Sequence, residues 1–164
     1  MKVEHRQQSS EIGCFFECST KYLTINDEGK LVRKSGVILV RSDDFKSSEE
    51  LSLSQLKNIS MEGGGEIVSI KRARYEELIY SDNADSKKSS IPEGCTPFYV
   101  SFQIEVVNPD TGRVSKNKQT TLVVAKDIPD AKSTIDRVYN TYDYTILSVS
   151  VSHIIDIILD IILP

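Results

Sequence analysis

The sequence predicts an α+β fold: two tandem ββαβ repeats packed with pseudo-twofold symmetry, with mostly antiparallel sheet and the helices on one side. Three observations predict it, namely an internal repeat, hairpin turns at matching places in both copies, and a change from alternating to helical spacing after each hairpin. The chain has 164 residues, of which 39% are hydrophobic and 27% charged, a composition typical of folded domains. Each unit alone would leave half of its sheet uncovered, so we expect the two units to pack together.

The repeat is clearest in the hairpin of each half. The segment FFECSTKYLTINDEGKLVRKSGVILVRSDDF, from Phe15, resembles FYVSFQIEVVNPDTGRVSKNKQTTLVVAKDI, from Phe98. The predicted strands are rich in aromatic and β-branched residues, and the turns NDEG and NPDTG contain the glycine that tight turns favour. A second match, of EIVSIKRARYEELI with TILSVSVSHIIDII, predicts a strand that closes each half.

A helix is predicted after each hairpin. In the second half Asp127 is the predicted cap, and in the first half Ser47 and Glu50 have the spacing of a capping box. Residues three or four apart form one apolar stripe on each helix. In the first half the stripe is Leu53, Leu56 and Ile59, within the predicted helix FKSSEELSLSQLKNI. In the second half it is Ile128, Ala131, Ile135 and Val138, within DIPDAKSTIDRVYN.

These elements divide the chain into five predicted segments. The stretch between the two halves is polar and ends in proline and glycine, which is typical of a linker. The segments are a polar N-terminal arm at 1–13, a first ββαβ unit at 14–80, a linker at 81–97, a second ββαβ unit at 98–158 and an apolar C-terminal arm at 159–164.

Several of these patterns resemble a known family. They are the stretch EIVSIKRARYEELIY, with SIKRARY as its most specific part, the strand that begins at Phe98 with Tyr99, and an aspartate followed by an apolar residue before each helix. Together they resemble a small domain of unknown function found in gut bacteria and in their tailed phages, including crass-like phages. The resemblance covers Cys14 to Ile158 and implies a phage-related protein, a component of the virion, without implying an enzymatic activity.

The residues themselves predict no catalytic, cofactor-binding or metal site. The only histidines, His5 and His153, lie in no recognisable motif, and no pair of carboxylates has the arrangement of an acid/base couple. In a strand, Cys14 and Cys18 would lie roughly 13 Å apart, too far for two ligands of one zinc ion. We therefore expect the cysteines to be structural, and the protein not to be an enzyme.

One basic cluster, KRAR, could contact an anionic partner. On a strand, Arg72 and Arg74 would share one face and Lys71 would lie on the other. Arginine and lysine bind phosphates regardless of nucleic-acid sequence, but the cluster could equally pair with carboxylates such as Glu76 and Glu77. The net charge of −4 argues against a general nucleic-acid binder.

The segment SHIIDIILDIILP, from Ser152, is almost entirely isoleucine and leucine, interrupted by Asp156 and Asp160. It is compatible with a helix, although isoleucine favours a strand. Burial of each such side chain contributes roughly 1.5–3 kcal/mol, so we expect the segment to be covered by its own domain or by a neighbour. The predicted protein interface is Ile157, Ile158, Leu159, Ile161, Ile162 and Leu163.

The sequence thus predicts a non-enzymatic structural subunit of a phage virion, located in the neck or in a tail ring and joined to its neighbours by sheet edges and exchanged termini. The alternative is a small intracellular nucleic-acid-binding or regulatory module that uses Lys71 to Arg74. The opening residues lack the apolar run of a signal peptide, and the closing run is shorter than the about 20 residues of a membrane-spanning helix. We therefore expect homo-oligomers or other virion proteins as partners, and assembly of the virion in the bacterial cytoplasm.

Overall fold

The computed structural model describes residues 14–61, 65–85 and 90–159. The predicted N-terminal arm at 1–13 and the last residues of the C-terminal arm lie outside this range. In chain order the elements are β1 (Cys14–Ile25), β2 (Leu31–Ser42), α1 (Phe45–Ile59), β3 (Glu66–Arg72), β4 (Leu78–Tyr80), β5 (Thr96–Val107), β6 (Val114–Ala125), α2 (Ile128–Val138), β7 (Asp143–Val151) and β8 (Ile154–Leu159).

Contacts divide the described residues into two compact units. One unit contains residues up to Ala73 together with the segment from His153 onward, and the other contains Arg74 to Ser152. Each unit has a four-stranded sheet and a helix, with strand orders β3-β1-β2-β8 and β4-β6-β5-β7. The predicted α+β class, with mainly antiparallel sheets, is confirmed.

In the first unit, the hairpin of β1 and β2 turns through the predicted NDEG segment. The Asn26 side chain accepts hydrogen bonds from the backbone amides of Glu28 and Lys30, and Gly29 has a φ of 78°, a conformation that favours glycine. Helix α1 packs on one face of the sheet. The core between them is built from Cys18, Ile38, Val40 and Leu56.

Helix α1 spans the predicted segment, but its cap and its buried face differ from the prediction. Asp44 is the N-cap and accepts a hydrogen bond from the Ser47 amide at 2.8 Å, so the proposed capping box at Ser47 is wrong. The buried face contains Ser48 and Ser52, whereas Leu53 is 39% exposed. The Ser48 carbonyl lies 4.0 Å from Sγ of Cys18 on β1, an approach that small side chains on this face allow. A pattern of large apolar residues does not reveal such a face.

In the second unit, β5 and β6 form the corresponding hairpin, and α2 covers one face of their sheet. Asp127 is the N-cap, as predicted, and accepts a hydrogen bond from the Asp130 amide at 2.8 Å. Ile128 lies at the first position of the helix and is exposed, so its predicted place in the buried stripe is wrong. The core includes Phe98, Val100, Phe102, Val123, Ala131, Ile135 and Val138.

Each sheet receives one strand from the other half of the sequence. Strand β4 follows β3 in the chain but pairs in parallel with β6, and β8 follows β7 but pairs in parallel with β2. The sequence division at 14–80 and 98–158 follows chain order, whereas the compact units exchange these two strands. Each sheet therefore consists of three antiparallel strands from one half and a fourth, parallel strand from the other.

The outer antiparallel strands, β3 and β7, carry a bulge at the same place. In β3 the extra residue is Val68, which lies between Ile67, the partner of Thr20, and Ser69, the partner of Ser19. In β7 it is Leu147, between partners of Ser101 and Phe102. A bulge adds one unpaired residue and changes which side chains share a face.

Strand register corrects the sequence alignment of the two halves by one residue. Phe16 lies opposite Arg72, and Phe98 lies opposite Val151 at the matching place of the second sheet. Phe16, and not Phe15, therefore corresponds to Phe98. The second hairpin has a longer turn than the first. An alignment that matches the strands after the turns is therefore shifted by one residue in the strands before the turns. A shift of one residue assigns each side chain to the opposite face of the sheet.

Candidate functional site

The basic cluster is split by the structure. The Lys71 Nζ lies 3.5 Å from Oε1 of Glu17, a mostly buried carboxylate on the neighbouring strand. Arg72 lies opposite Phe16 and thus on the other face of the sheet, the face that α1 covers. Arg74 follows the end of β3 and belongs to the other compact unit. Lys71 and Arg72 therefore present their charges on opposite faces of β3.

The described part of the C-terminal segment is a strand of the chain's own sheet. Ile157 lies opposite Leu39 on β2 and is only 4% exposed, and Ile158 packs against the core beneath α1. Leu159 is half-buried. The other predicted interface residues, Ile161, Ile162 and Leu163, lie outside the described residues.

The pairing of β8 with β2 is specific in shape and in hydrogen bonding. The Val37 amide donates to the His153 carbonyl at 2.9 Å, and the Gln55 side chain on α1 donates to the Asp156 carboxylate. At Gly36 a Cβ atom would lie 2.6 Å from Cγ2 of Ile155, so only glycine leaves room for this strand. Asp156, one of the two polar breaks in the apolar segment, therefore orients β8 toward α1.

The other exchanged strand begins beside a corresponding carboxylate. Glu77, just before β4, is buried and accepts hydrogen bonds from the hydroxyls of Tyr139, at the end of α2, and of Thr121 at 3.3 Å. Its carbonyl accepts from the Leu122 amide. Glu77 aligns with Asp156 in the sequence repeat, a signal of this shared role. The sequence suggested Glu77 only as a carboxylate that could pair with the basic cluster, and not as a buried hydrogen-bond acceptor.

Strand β7 is an edge strand with a partly apolar surface, and its one charged residue, Asp143, lies at its start. On its α2 side, Tyr144, Ile146 and Val149 are half-buried against the core. Leu147, at the bulge, and Val151 are 47% and 57% exposed. From Tyr144 to Val151 the strand contains neither a charged residue nor a proline, although these are among the devices that commonly protect sheet edges.

Edge strand β3 differs from β7 in charge. Val68 occupies the equivalent bulge and is 54% exposed, so the two edges expose an aliphatic side chain at the same place. However, β3 also carries exposed Glu66, Lys71 and Arg72. Such charges discourage another strand from pairing there.

The family of the chain follows from a comparison with known families. Residues 14–160 match the model of a family described as a domain of unknown function, DUF4494. The chain belongs to this family. The match spans every strand and helix described above, in agreement with the expected family of unknown function. No curated protein and no solved structure shows significant similarity to the chain.

The cysteines of this DUF4494 domain are free thiols. Burial raises the pKa of Cys18, whose Sγ lies 4.0 Å from the Ser48 carbonyl, so its thiol stays protonated. Within residues 14–61, 65–85 and 90–159, no three histidine, cysteine or acidic side chains cluster as metal ligands would. In the same part of the chain, no helix has the length and hydrophobicity needed to cross a membrane.

Proposed function

We propose that this DUF4494 domain is a non-enzymatic structural subunit that assembles through protein–protein contacts, as a component of a bacteriophage virion in the neck or a tail ring. The observation that carries the proposal is the β7 edge, which has no charged residue from Tyr144 to Val151 and exposes Leu147 and Val151. Such an edge presents unpaired backbone groups and apolar side chains, which together bind another strand.

The proposal includes a duplicated architecture with pseudo-twofold symmetry between the ββαβ-derived halves. The shared strand order, the bulges at Val68 and Leu147 and the exchange of β4 and β8 support it. A protein built from two similar units repeats the same strands and helices, although the outer edges of the two sheets differ in charge.

The apolar C-terminal arm is the second proposed contact. Because Ile154 and Ile157 are buried and Ile158 packs against the core beneath α1, the residues proposed to contact a neighbour are Ile161, Ile162 and Leu163, together with the outer edge of β8. Light scattering during chromatography tests this contact, with the full chain compared to a chain that ends after Leu159. We expect the truncated chain to lose mass as an assembly while keeping its thermal stability.

The placement in a virion is supported by the resemblance of SIKRARY and its flanking residues to domains of tailed phages. Quantitative mass spectrometry of purified particles, from a phage that encodes this chain, tests the placement. We expect its peptides at a ratio to the major capsid protein that fits a ring of fixed copy number. Peptides present in infected cells but absent from the particles would refute a role in the virion. Such a result would not refute assembly of the chain in the bacterial cytoplasm.

The alternative function is nucleic-acid binding through the basic cluster, and one observation favours it: the side chains of Lys71, Arg72 and Arg74 are all exposed. Fluorescence anisotropy with duplex DNA at several salt concentrations separates the two functions. Binding that weakens steeply with salt, and that is lost on replacing the three residues by alanine, would support the alternative. The structural role predicts no binding of this kind.

A further inference from the structure

We propose that β7 pairs with the β7 strand of a second copy of this chain, antiparallel about a twofold axis between Leu147 and Ser148. The sheet of one copy then continues into the sheet of the other. This inference rests on the proposed function and names the partner for one of its contacts. It concerns the edge strand alone and is independent of the C-terminal arm.

Strand β7 is open to pairing on one side. It is the last strand in the order β4-β6-β5-β7, so its outer backbone groups have no strand partner in the described sheet. Thr145, Ser148 and Ser150 are exposed, and they are small polar residues that fit between strands without burying a charge. Val151, which is 57% exposed, gains an apolar contact once the edge is covered.

Strand β7 is self-complementary in one register. The bulge at Leu147 places Tyr144 and Ile146 before it, and Val149 and Val151 after it, on the same face of the sheet. An axis between Leu147 and Ser148 sets Ile146 opposite Val149 of the second copy. The same register sets Tyr144 opposite Val151.

All the apolar pairs in this register therefore lie on the face that α2 covers. On the other face, Thr145 meets Ser150 of the second copy, a pairing of hydroxyl groups that suits neighbouring strands. Each pair occurs twice, because a twofold interface uses the same patch on both subunits. Asp143 lies beyond Tyr144, at the margin of the paired segment, so the two copies do not oppose like charges in its middle.

Strands β7 and β3 differ in the charges that they carry. The two edges share the bulge and its exposed aliphatic residue, but only β3 carries Lys71 and Arg72 at its end. In a symmetric β3 pair, these charges would lie against another strand edge and resist desolvation. The protein thus protects one edge with charge and leaves the other open.

The experiment compares two variants that place the same charge at the same kind of position. Leu147→Lys alters the β7 bulge, and Val68→Lys alters the β3 bulge, where the side chain is about equally exposed. The mass of the full-length chain and of both variants is measured by light scattering over a concentration series. Circular dichroism melting establishes that each variant is folded, and the exposure of both side chains makes this the expected result.

We expect the wild type and Val68→Lys to form dimers and Leu147→Lys to remain a monomer. Hydrogen exchange should show that the amides of β7 lose protection on dilution of the wild type, while those of β3 do not change. Loss of the dimer in both variants would overturn the symmetric β7 pair, because β3 would then take part in the contact.

A wild type that is a monomer at every concentration, or a dimer unaffected by Leu147→Lys, would also overturn this inference. Neither result decides the role in a virion, because the content of purified particles tests that role separately. The failure of the β7 contact and the failure of the proposed function are therefore distinguishable.

Discussion

Replacement of Gly36 by alanine should displace β8 from β2 in the first sheet. The new Cβ would lie 2.6 Å from Cγ2 of Ile155, and its distances to Cδ1 and Cγ1 would be 3.0 and 3.2 Å. Cγ2 is bonded directly to Cβ of a β-branched residue, so a rotation of the side-chain end does not relieve the contact. Either Ile155 must leave its rotamer or the strand must move away from β2.

The expected loss of stability can be worked out from these contacts. Overpacking of this kind costs about 1–3 kcal/mol. Alanine at a compatible backbone position offsets about 0.4–1 kcal/mol, because it reduces the entropy of the unfolded chain. We therefore expect Gly36→Ala to lower the free energy of unfolding by about 1–2 kcal/mol, measured by urea denaturation, with faster hydrogen exchange in β8 than in β1.

The matched control is the double variant Gly36→Ala/Ile155→Ala, in which all three close atoms are absent. Ile155 is only partly buried, so Ile155→Ala alone should have a small effect. The double variant should then have nearly the stability of Ile155→Ala, which gives a large coupling energy between the two positions. Equal stability of Gly36→Ala and the wild type, or additive effects in the double variant, would refute this account of the β8 seat.

Three further predictions concern single side chains. Tyr139→Phe removes a hydroxyl that donates to the buried carboxylate of Glu77, so it should reduce the unfolding free energy by about 1–3 kcal/mol in the same urea assay. Cys18, buried and with a raised pKa, should resist alkylation in the folded protein while the half-buried Cys14 is modified, and mass spectrometry of the labelled peptides would show the reverse order if Cys18 were accessible. Burial acts to raise the pKa of Asp130, but hydrogen bonds from the Lys126 amide, Ser81 and Asn83 outweigh it and lower the pKa below the usual 3.8. This carboxylate therefore contributes stability that is present above about pH 4 and is lost as the pH falls through its lowered pKa. The decrease in unfolding free energy at acid pH should be smaller in Asp130→Asn than in the wild type. Identical pH profiles of the two proteins would contradict the prediction.

Local features of the fold were predictable from the sequence because short-range chemistry determines them. The turn at Gly29, the cap at Asp127 and the span of α1 depend on neighbouring residues, and each is confirmed. The buried serines of α1 were missed because a helix lying close to a sheet needs small residues, and Ser48 and Ser52 do not appear in a hydrophobic pattern.

The candidate site was less predictable, because its geometry depends on which sheet a strand joins. The isoleucine content of residues 154–159 favoured a strand, and a strand is present. Nothing in that local pattern specifies β2 as its partner, since hydrogen bonds between strands carry no sequence code. Gly36, Gln55 and Asp156 specify the partner together, and they are far apart in the sequence.

The exchange of β4 and β8 also governs how the protein is made. On the ribosome, the first half of the chain emerges with β1, β2, α1 and β3, but the strand that completes their sheet lies at 154–159 and is synthesised after every other described element. Until then the edge of β2 stays uncovered on the nascent chain, and so does the space beside Gly36 that Ile155 will occupy. The second sheet already has its β4 when β6 appears. Completion of the unit containing Arg74 to Ser152 therefore precedes completion of the unit that begins the sequence.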